Sequence, residues 1–468
     1  MPAMSSRRTK LGTRGSERRT RVNASAGRRA ALILGCAALV LAGCTTTKKG
    51  NSGVEGGQPA PGVTADEAKI GFIFTDLGKI SEQLGLKVDP AGDPNQQVQI
   101  LTEWVNKNGG LGGRKMVPDL VKFQASTDAP SVEESLCNQF TQDDKVFAVV
   151  LTGQFQENAR PCYQRKRTIA VDETTFPLDN QAYDDLSPYL WAPGLVSYDD
   201  YVDPFIKALE TQGFFKGGKV GVLAPDTPVN HRVVEGKGFA ALAAAGVSSP
   251  ITQWIDVKTT ESLNGGLGNA AQKFIDAKVD RVVFFGGQRL APFFAVAGNA
   301  FNYSPMYGIS SIDNPKSILD NQALTGGNNP LKSGAMGISF QPVNDVADAQ
   351  YPFPATFGES QCQTIFAQGG LTFKNRSEAA QPFHYCDAVL FIKGAMDKAK
   401  LDGAPGALSP EDFGKAASTM ATNFQAARSI STNFAGSHAG AATFRLMAYD
   451  PSCVCFQLKG ENVAFKAG

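Results

Sequence analysis

At 468 residues the chain is long enough for two or three domains, each with its own core, and 42% hydrophobic with 19% charged residues is globular composition, which excludes a largely disordered protein. The net charge of +1 hides an uneven distribution: residues 1–43 carry nine Lys and Arg against one acidic residue, leaving 36 basic against 43 acidic side chains in the rest. A mildly acidic body without a basic stripe excludes nucleic acid as a partner, because neutralising phosphates needs clustered Lys and Arg.

The amino terminus reads as an address. Nine basic residues between Arg7 and Arg29 precede an apolar run from Ala30 to Ala42 and then Cys44. That run is short for a membrane span and suits the core of a signal peptide, assigned here to residues 1–43. Leu41-Ala42-Gly43-Cys44 resembles the bacterial lipobox, which implies cleavage before Cys44 and a diacylglycerol on its thiol. Two acyl chains, at about 0.8 kcal/mol per buried methylene, hold a protein stably on a bilayer. Arg28-Arg29 leaves both the general and the twin-arginine export routes open. Residues 44–65, small, polar and rich in Gly and Pro, read as a flexible tether.

From Ala68 onward short β-rich runs alternate with amphipathic segments. Strands are expected at Lys69–Thr75, Asp119–Gln124, Val146–Thr152, Thr168–Asp172, Lys219–Ala224, Arg281–Gly286 and Pro305–Ser310. Helices are expected at Asn95–Asn108, Ser131–Thr141, Phe155–Gln164, Asp199–Gln212, Val229–Ala245, Gly268–Ala277 and around Tyr385–Ala399, with a β-rich end over Thr443–Phe465. Tyr198, Val202, Phe205 and Leu209 repeat on one helical face. Runs such as FAVVLT and RVVFFGG are apolar on both faces, as parallel strands covered by helices are. The alternation predicts doubly wound α/β lobes.

Four stretches resemble the type I periplasmic binding proteins of the leucine/isoleucine/valine-binding family: AKIGFIFT, WVNKNGGLGGRK, VFAVVLTGQFQENARPCYQRKRTIAV and PFHYCDAVLFIKGAM. The resemblance covers roughly residues 66–468 and implies two parallel-sheet lobes joined by three hinge crossovers, near Trp191–Val196, Gly337–Pro342 and Thr432–Gly440. Lobe 1 is then 66–193 plus 341–432, and lobe 2 is 194–340 plus 433–468. It further implies a small polar metabolite, amino acid or amide/carboxylate-like, in the interlobe cleft at the carboxyl ends of the strands. The partners implied are that ligand, an ABC permease and the lipid bilayer through Cys44. The protein is expected to be a monomer without cofactor, on the extracytoplasmic face of the membrane. A ligand-sensing receptor of the same fold is the alternative, and an envelope enzyme a more remote one.

Ligand contacts are expected where strands end. Thr152-Gly153-Gln154-Phe155 follows a buried strand and is expected to open a helix, aiming the amides of Gln154 and Phe155 and the positive end of the dipole at a carboxylate. Relatives that bind amino acids carry small hydroxyl residues at this turn. On the next strand's end Thr174 is the choice, with Thr175 open because the register is uncertain by one. Asp172 reads either as a partner for an ammonium or as a solvated carboxylate. Asp76 and Leu77 are weaker candidates. The second lobe offers Asn230, Gln288 and Ser310 or Ser311.

Nothing in the chain forms a catalytic or metal-binding constellation. The three histidines, His231, His384 and His438, have no close metal-ligand spacing, and no GxSxG elbow occurs. Apart from Cys36 and Cys44, six cysteines remain, an even number that fits bridges in an exported chain. Relatives carry a disulfide at positions corresponding to Cys137 and Cys162. Cys362–Cys386 is the next pairing expected, and Cys453 and Cys455 pair locally or stay reduced.

Overall fold

The computed structural model describes residues 58–79, 92–287, 290–320, 326–404, 406 and 408–466. The signal segment, Cys44, most of the tether and Gln288 therefore lie outside the described residues. The last part of the expected tether is docked: Ala60 and Val63 are buried, Ala60 N donates to Leu408 O at 2.9 Å, and Lys69 N donates to Gly62 O at 2.8 Å. Two small apolar side chains and a few backbone bonds suffice to hold it, which composition alone does not show.

The first sheet contains β1 (Glu67–Asp76), β2 (Lys115–Gln124), β3 (Ala148–Leu151), β4 (Ile169–Asp172) and β5 (Leu190–Trp191), in the order β2-β1-β3-β4-β5 and parallel throughout. Every residue of β3 and β4 is buried, as expected for strands covered by helices on both faces. The second sheet contains β6 (Val220–Pro225), β7 (Ile251–Ile255), β8 (Arg281–Phe284), β9 (Met306–Ser310), β10 (Ala335–Ser339), β11 (Thr443–Asp450) and β12 (Cys455–Ala464), in the order β12-β11-β10-β9-β8-β6-β7. Its last two strands depart from the parallel pattern. β11 runs antiparallel to both β10 and β12, and the few residues between β11 and β12 can close a hairpin but not a parallel crossover.

The chain passes between the sheets three times: after β5, after β10 and before β11. The passages are bonded to one another. Ser429 Oγ donates to Gly194 O at 3.1 Å, Ile430 N to Phe340 O at 3.0 Å, and Ala441 N to Leu195 O at 2.8 Å. The long helix Arg376–Leu401 packs with helices Pro94–Lys107, Phe357–Gln368 and Pro410–Ser418 in the core of the first sheet.

Local chemistry explains the elements. Helix Pro94–Lys107 opens with Asp93, whose side chain accepts from Asn95 N, and with Pro94 in the first turn. It buries Val98, Leu101 and Val105 and ends in the Asn108-to-Arg114 turn. There Gly110 has φ +70°, and a Cβ would sit 2.1 Å from Arg114 O, so no other residue fits. Helix Thr260–Asp276 starts eight residues before its expected beginning, because Thr259 and Ser262 form a reciprocal cap. The structure joins Cys137 to Cys162, Cys362 to Cys386, and Cys453 to Cys455.

Candidate functional site

Both sheets have the same parallel strand order about their first strand, with a switch of direction between β1 and β3 in one and between β6 and β8 in the other. In open α/β sheets the crevice outside the carboxyl ends at such a switch is where ligands bind, since the loops there leave in opposite directions. A narrow cleft lies where these two crevices meet. Phe155, Thr175 and Phe176 line it from the first sheet's loops, and Pro225, Val257, Gly286, Gly287 and Leu290 from the second.

On the first wall, β3 ends at Leu151, but the next helix, Ala159–Arg165, begins only after a seven-residue irregular stretch. The expectation that Gln154 and Phe155 stand in the first turn of a helix is therefore corrected. The cause is the Gln154 side chain, whose Oε1 folds back to accept from Thr152 N at 3.0 Å and Gly153 N at 3.3 Å. Those amides are satisfied within the turn, and the helix dipole is not aimed from Gln154. Gln154 is 1% exposed, and its Nε2 has no hydrogen-bond partner.

Arg160, which the sequence reading passed over, organises this wall. It is 2% exposed. Its Nε donates to Asp172 Oδ2 at 2.7 Å, its Nη2 to Gln154 O at 3.0 Å and to Thr174 Oγ1 at 3.1 Å, and its guanidinium lies 4.5 Å from the centre of the Phe176 ring. Burial acts against the charge of Arg160, but Asp172 outweighs it and keeps the group cationic. Asp172 is thus neither solvated nor free for an ammonium. A basic residue two positions from the buried Cys162, on an otherwise apolar helix face, was the available signal. Beside it Glu133 is neutral: burial pushes its carboxyl up to about 9, with Asp128 adding to the rise.

Thr174 and Thr175 differ sharply. Thr174 Oγ1 donates to Asp172 Oδ1 at 2.6 Å and accepts from Arg160 and from Phe176 N at 3.1 Å, so its capacity is used inside the wall. Thr175 Oγ1 is buried, faces no partner, and belongs to the cleft lining. Asp76 pairs with Lys122 at 2.6 Å and with Gln124 at 2.9 Å, which hold its carboxyl below the usual range, and Leu77 is 40% exposed.

On the second wall Asn230 ties two loops together. Its Oδ1 accepts from Thr227 Oγ1 at 2.9 Å and its Nδ2 donates to Phe285 O at 3.0 Å. Ser310 Oγ accepts from Tyr201 OH at 2.9 Å and from Ile312 N at 3.2 Å. Ser311 Oγ donates to Asp345 Oδ2 at 2.6 Å and accepts from the amides of Phe340 and Gln341, beside the second crossover. Both side chains lie in buried networks, as Asn230 does. Burial raises Asp313 and Asp345 to about 7.

The walls touch. Arg232, from the second, grips Asp179, from the first, with Nε to Oδ2 at 2.7 Å and Nη2 to Oδ1 at 3.0 Å. Gln156 Nε2 reaches Lys258 O at 3.4 Å. At Gly287 (φ +103°) a Cβ would approach Thr175 O to 3.1 Å, so glycine permits a close approach of the two backbones there. Away from the cleft, His231 stacks on Trp254 at 3.8 Å between Asp226 and Glu235, which raise its pKa. His384 is held neutral by burial and by Arg428. Among the described residues no group of His, Cys, Asp and Glu is arranged to hold a metal ion, and no helix is long and apolar enough to cross a membrane.

No family model and no curated protein matches the chain. Solved structures do. A fatty acid ABC transporter substrate-binding protein from Thermomonospora curvata is 15% identical with a TM-score of 0.58, over 87% of this chain and 95% of that one. An R. palustris ABC transporter solute-binding protein in complex with 4-hydroxybenzoate is 14% identical with a TM-score of 0.55, over 85% and 96%. An ABC transporter substrate-binding protein from Desulfitobacterium hafniense in complex with Leu is 12% identical with a TM-score of 0.52, over 84% and 100%. At these identities the likeness is one of fold, and the chain has the periplasmic binding protein type I fold.

Proposed function

We propose that the chain is an extracytoplasmic solute-binding lipoprotein that captures a small molecule between its two lobes and delivers it to an ABC permease. One observation carries the reading: a cleft at the carboxyl-terminal strand ends is lined from both sheets, so a molecule inside it bridges the lobes. A ligand favours the closed form only through contacts it lacks in the open form, and two-sided lining supplies them. The hinge is assigned to the three passages, with lobe 1 formed by 66–193 plus 341–432 and lobe 2 by 194–340 plus 433–468.

The apolar run ending in LAGC supports anchoring through Cys44, and the three cysteine pairs support residence in an oxidising compartment. The protein acts as a monomer in this reading. The structural neighbours bear titles naming a fatty acid, 4-hydroxybenzoate and Leu, so the fold leaves the ligand open.

The test is to expose the purified chain to fractionated metabolites while recording its melting temperature and the fluorescence of Trp191, which is buried beside the first passage and stacked on His438 at 4.2 Å. At a hundred times its dissociation constant a cleft ligand adds about 2.7 kcal/mol to stability. Val257→Trp, which fills the mouth from a half-buried position, should abolish the response. A response that survives this substitution places the ligand elsewhere.

A further inference from the structure

The three disulfides are not alike. Cys137, Cys162, Cys362 and Cys386 are each 0% exposed, and their bridges join residues 25 and 24 positions apart. Cys453–Cys455 joins residues 2 apart in the turn between β11 and β12. Pro451, Ser452, Cys453 and Val454 are all exposed there, while Cys455, the first residue of β12, is buried. A bridge stabilises chiefly by restricting the unfolded chain, and more so the longer the loop it closes, so this one contributes least.

The turn is already shaped without it. Asp450 Oδ1 accepts from Ser452 N at 2.8 Å and from Ser452 Oγ at 2.7 Å, and Asp450 Oδ2 accepts from Gln457 Nε2 at 2.9 Å. The strands pair in register from Asp450 against Cys455. Val454, the single residue between the two cysteines, stands at φ +52°, in the left-handed region that a β-branched residue rarely enters. It is 45% exposed, so packing offsets little of that cost. Opening the bridge frees Val454 to leave this conformation, and a bridge that is both exposed and set against its backbone is the labile one of the three.

We propose that Cys453–Cys455 is a thiol–disulfide exchange site, open to a dithiol that leaves the two buried bridges intact. A thiolate of the dithiol attacks the exposed Cys453 sulfur, a mixed disulfide forms as the Cys453–Cys455 bond breaks, and Cys455 leaves as a thiolate and takes a proton. The second thiol of the reagent, as its thiolate, then attacks its own sulfur in the mixed bond and releases Cys453, which takes the second proton. Two electrons and two protons pass to the chain, and the dithiol departs as its disulfide.

The test is graded dithiothreitol on the folded, full-length chain, quenched with N-ethylmaleimide and read by peptide mapping. Cys453 and Cys455 should be labelled at a concentration roughly tenfold below the one that labels any of the other four, and glutathione disulfide should close the bridge again. Replacing Cys453 and Cys455 together by serine should shift the urea midpoint by less than half as much as replacing Cys137 and Cys162, as the shorter loop requires. Cys453 and Cys455 protected as fully as the other four until the chain unfolds, or a midpoint shift as large as that of the Cys137 and Cys162 replacement, would make this bridge a structural one and overturn the proposal.

Discussion

Replacing Arg232 with alanine removes the ion pair that spans the lobes while keeping its partner's other work, since Asp179 still caps its helix. The pair is bidentate, and Asp179 is buried to 4% side-chain exposure, but Arg232 retains 38%. Solvent therefore screens part of the attraction. A value of about 1 kcal/mol, at the upper end for exposed pairs and well below that for buried ones, is appropriate. The pair exists only when the lobes meet, so its loss acts on the closed state alone. Ligand affinity should fall about fivefold at low salt, entirely through faster dissociation. Wild-type affinity should weaken as salt rises and converge with that of Arg232→Ala, whose own salt dependence is smaller. Stopped-flow measurement of dissociation at two ionic strengths reads both effects. Equal dissociation rates for the two proteins at low salt would refute the view that this pair latches the closed form.

Three further outcomes follow from buried groups. Asp172→Asn leaves Arg160 buried without a counter-charge and should cost about 3–5 kcal/mol in urea unfolding, whereas replacing both residues by apolar ones of similar size should cost much less. Burial holds Glu133 at about 9 against 4.5, and Asp313 and Asp345 at about 7 against 3.8, so the folded state binds protons that the unfolded state has released. Their contribution is full below the unfolded values and is lost as pH rises through the folded ones, so the melting temperature should fall between pH 4.5 and about 9, and Glu133→Gln should flatten the part above about 7. Replacing Cys137 and Cys162 by serine opens a loop with a separation of 25 residues and should destabilise the chain by about 3 kcal/mol, read from the denaturation midpoint.

Apolar, β-branched runs were the legible part of the fold. β3, β6 and β8 sit at the expected positions because their burial on both faces writes itself into the sequence. β10, with the small residues of AMGIS, and β7, half-exposed along ITQWI, lack that signature and were not foreseen. β5 is two residues long. The cleft was legible to the level of strand ends: Phe155 and Thr175 line it, whereas Thr174, the residue before Thr175, and Asn230, on the second wall, are bonded into the walls. The distinction depends on Arg160, whose partners Asp172 and Thr174 lie on a different loop, and spacing along a chain does not report which hydroxyl a distant guanidinium will occupy.

The central claim is that a small molecule sits between the lobes, and the difference density of the chain crystallised with whatever molecule co-purifies tests it most directly. The account predicts density enclosed by Phe155, Thr175, Phe176 and Leu290, touching residues of both lobes. Ligand density on the outer surface of one lobe, with the cleft closed and free of it, would contradict the account.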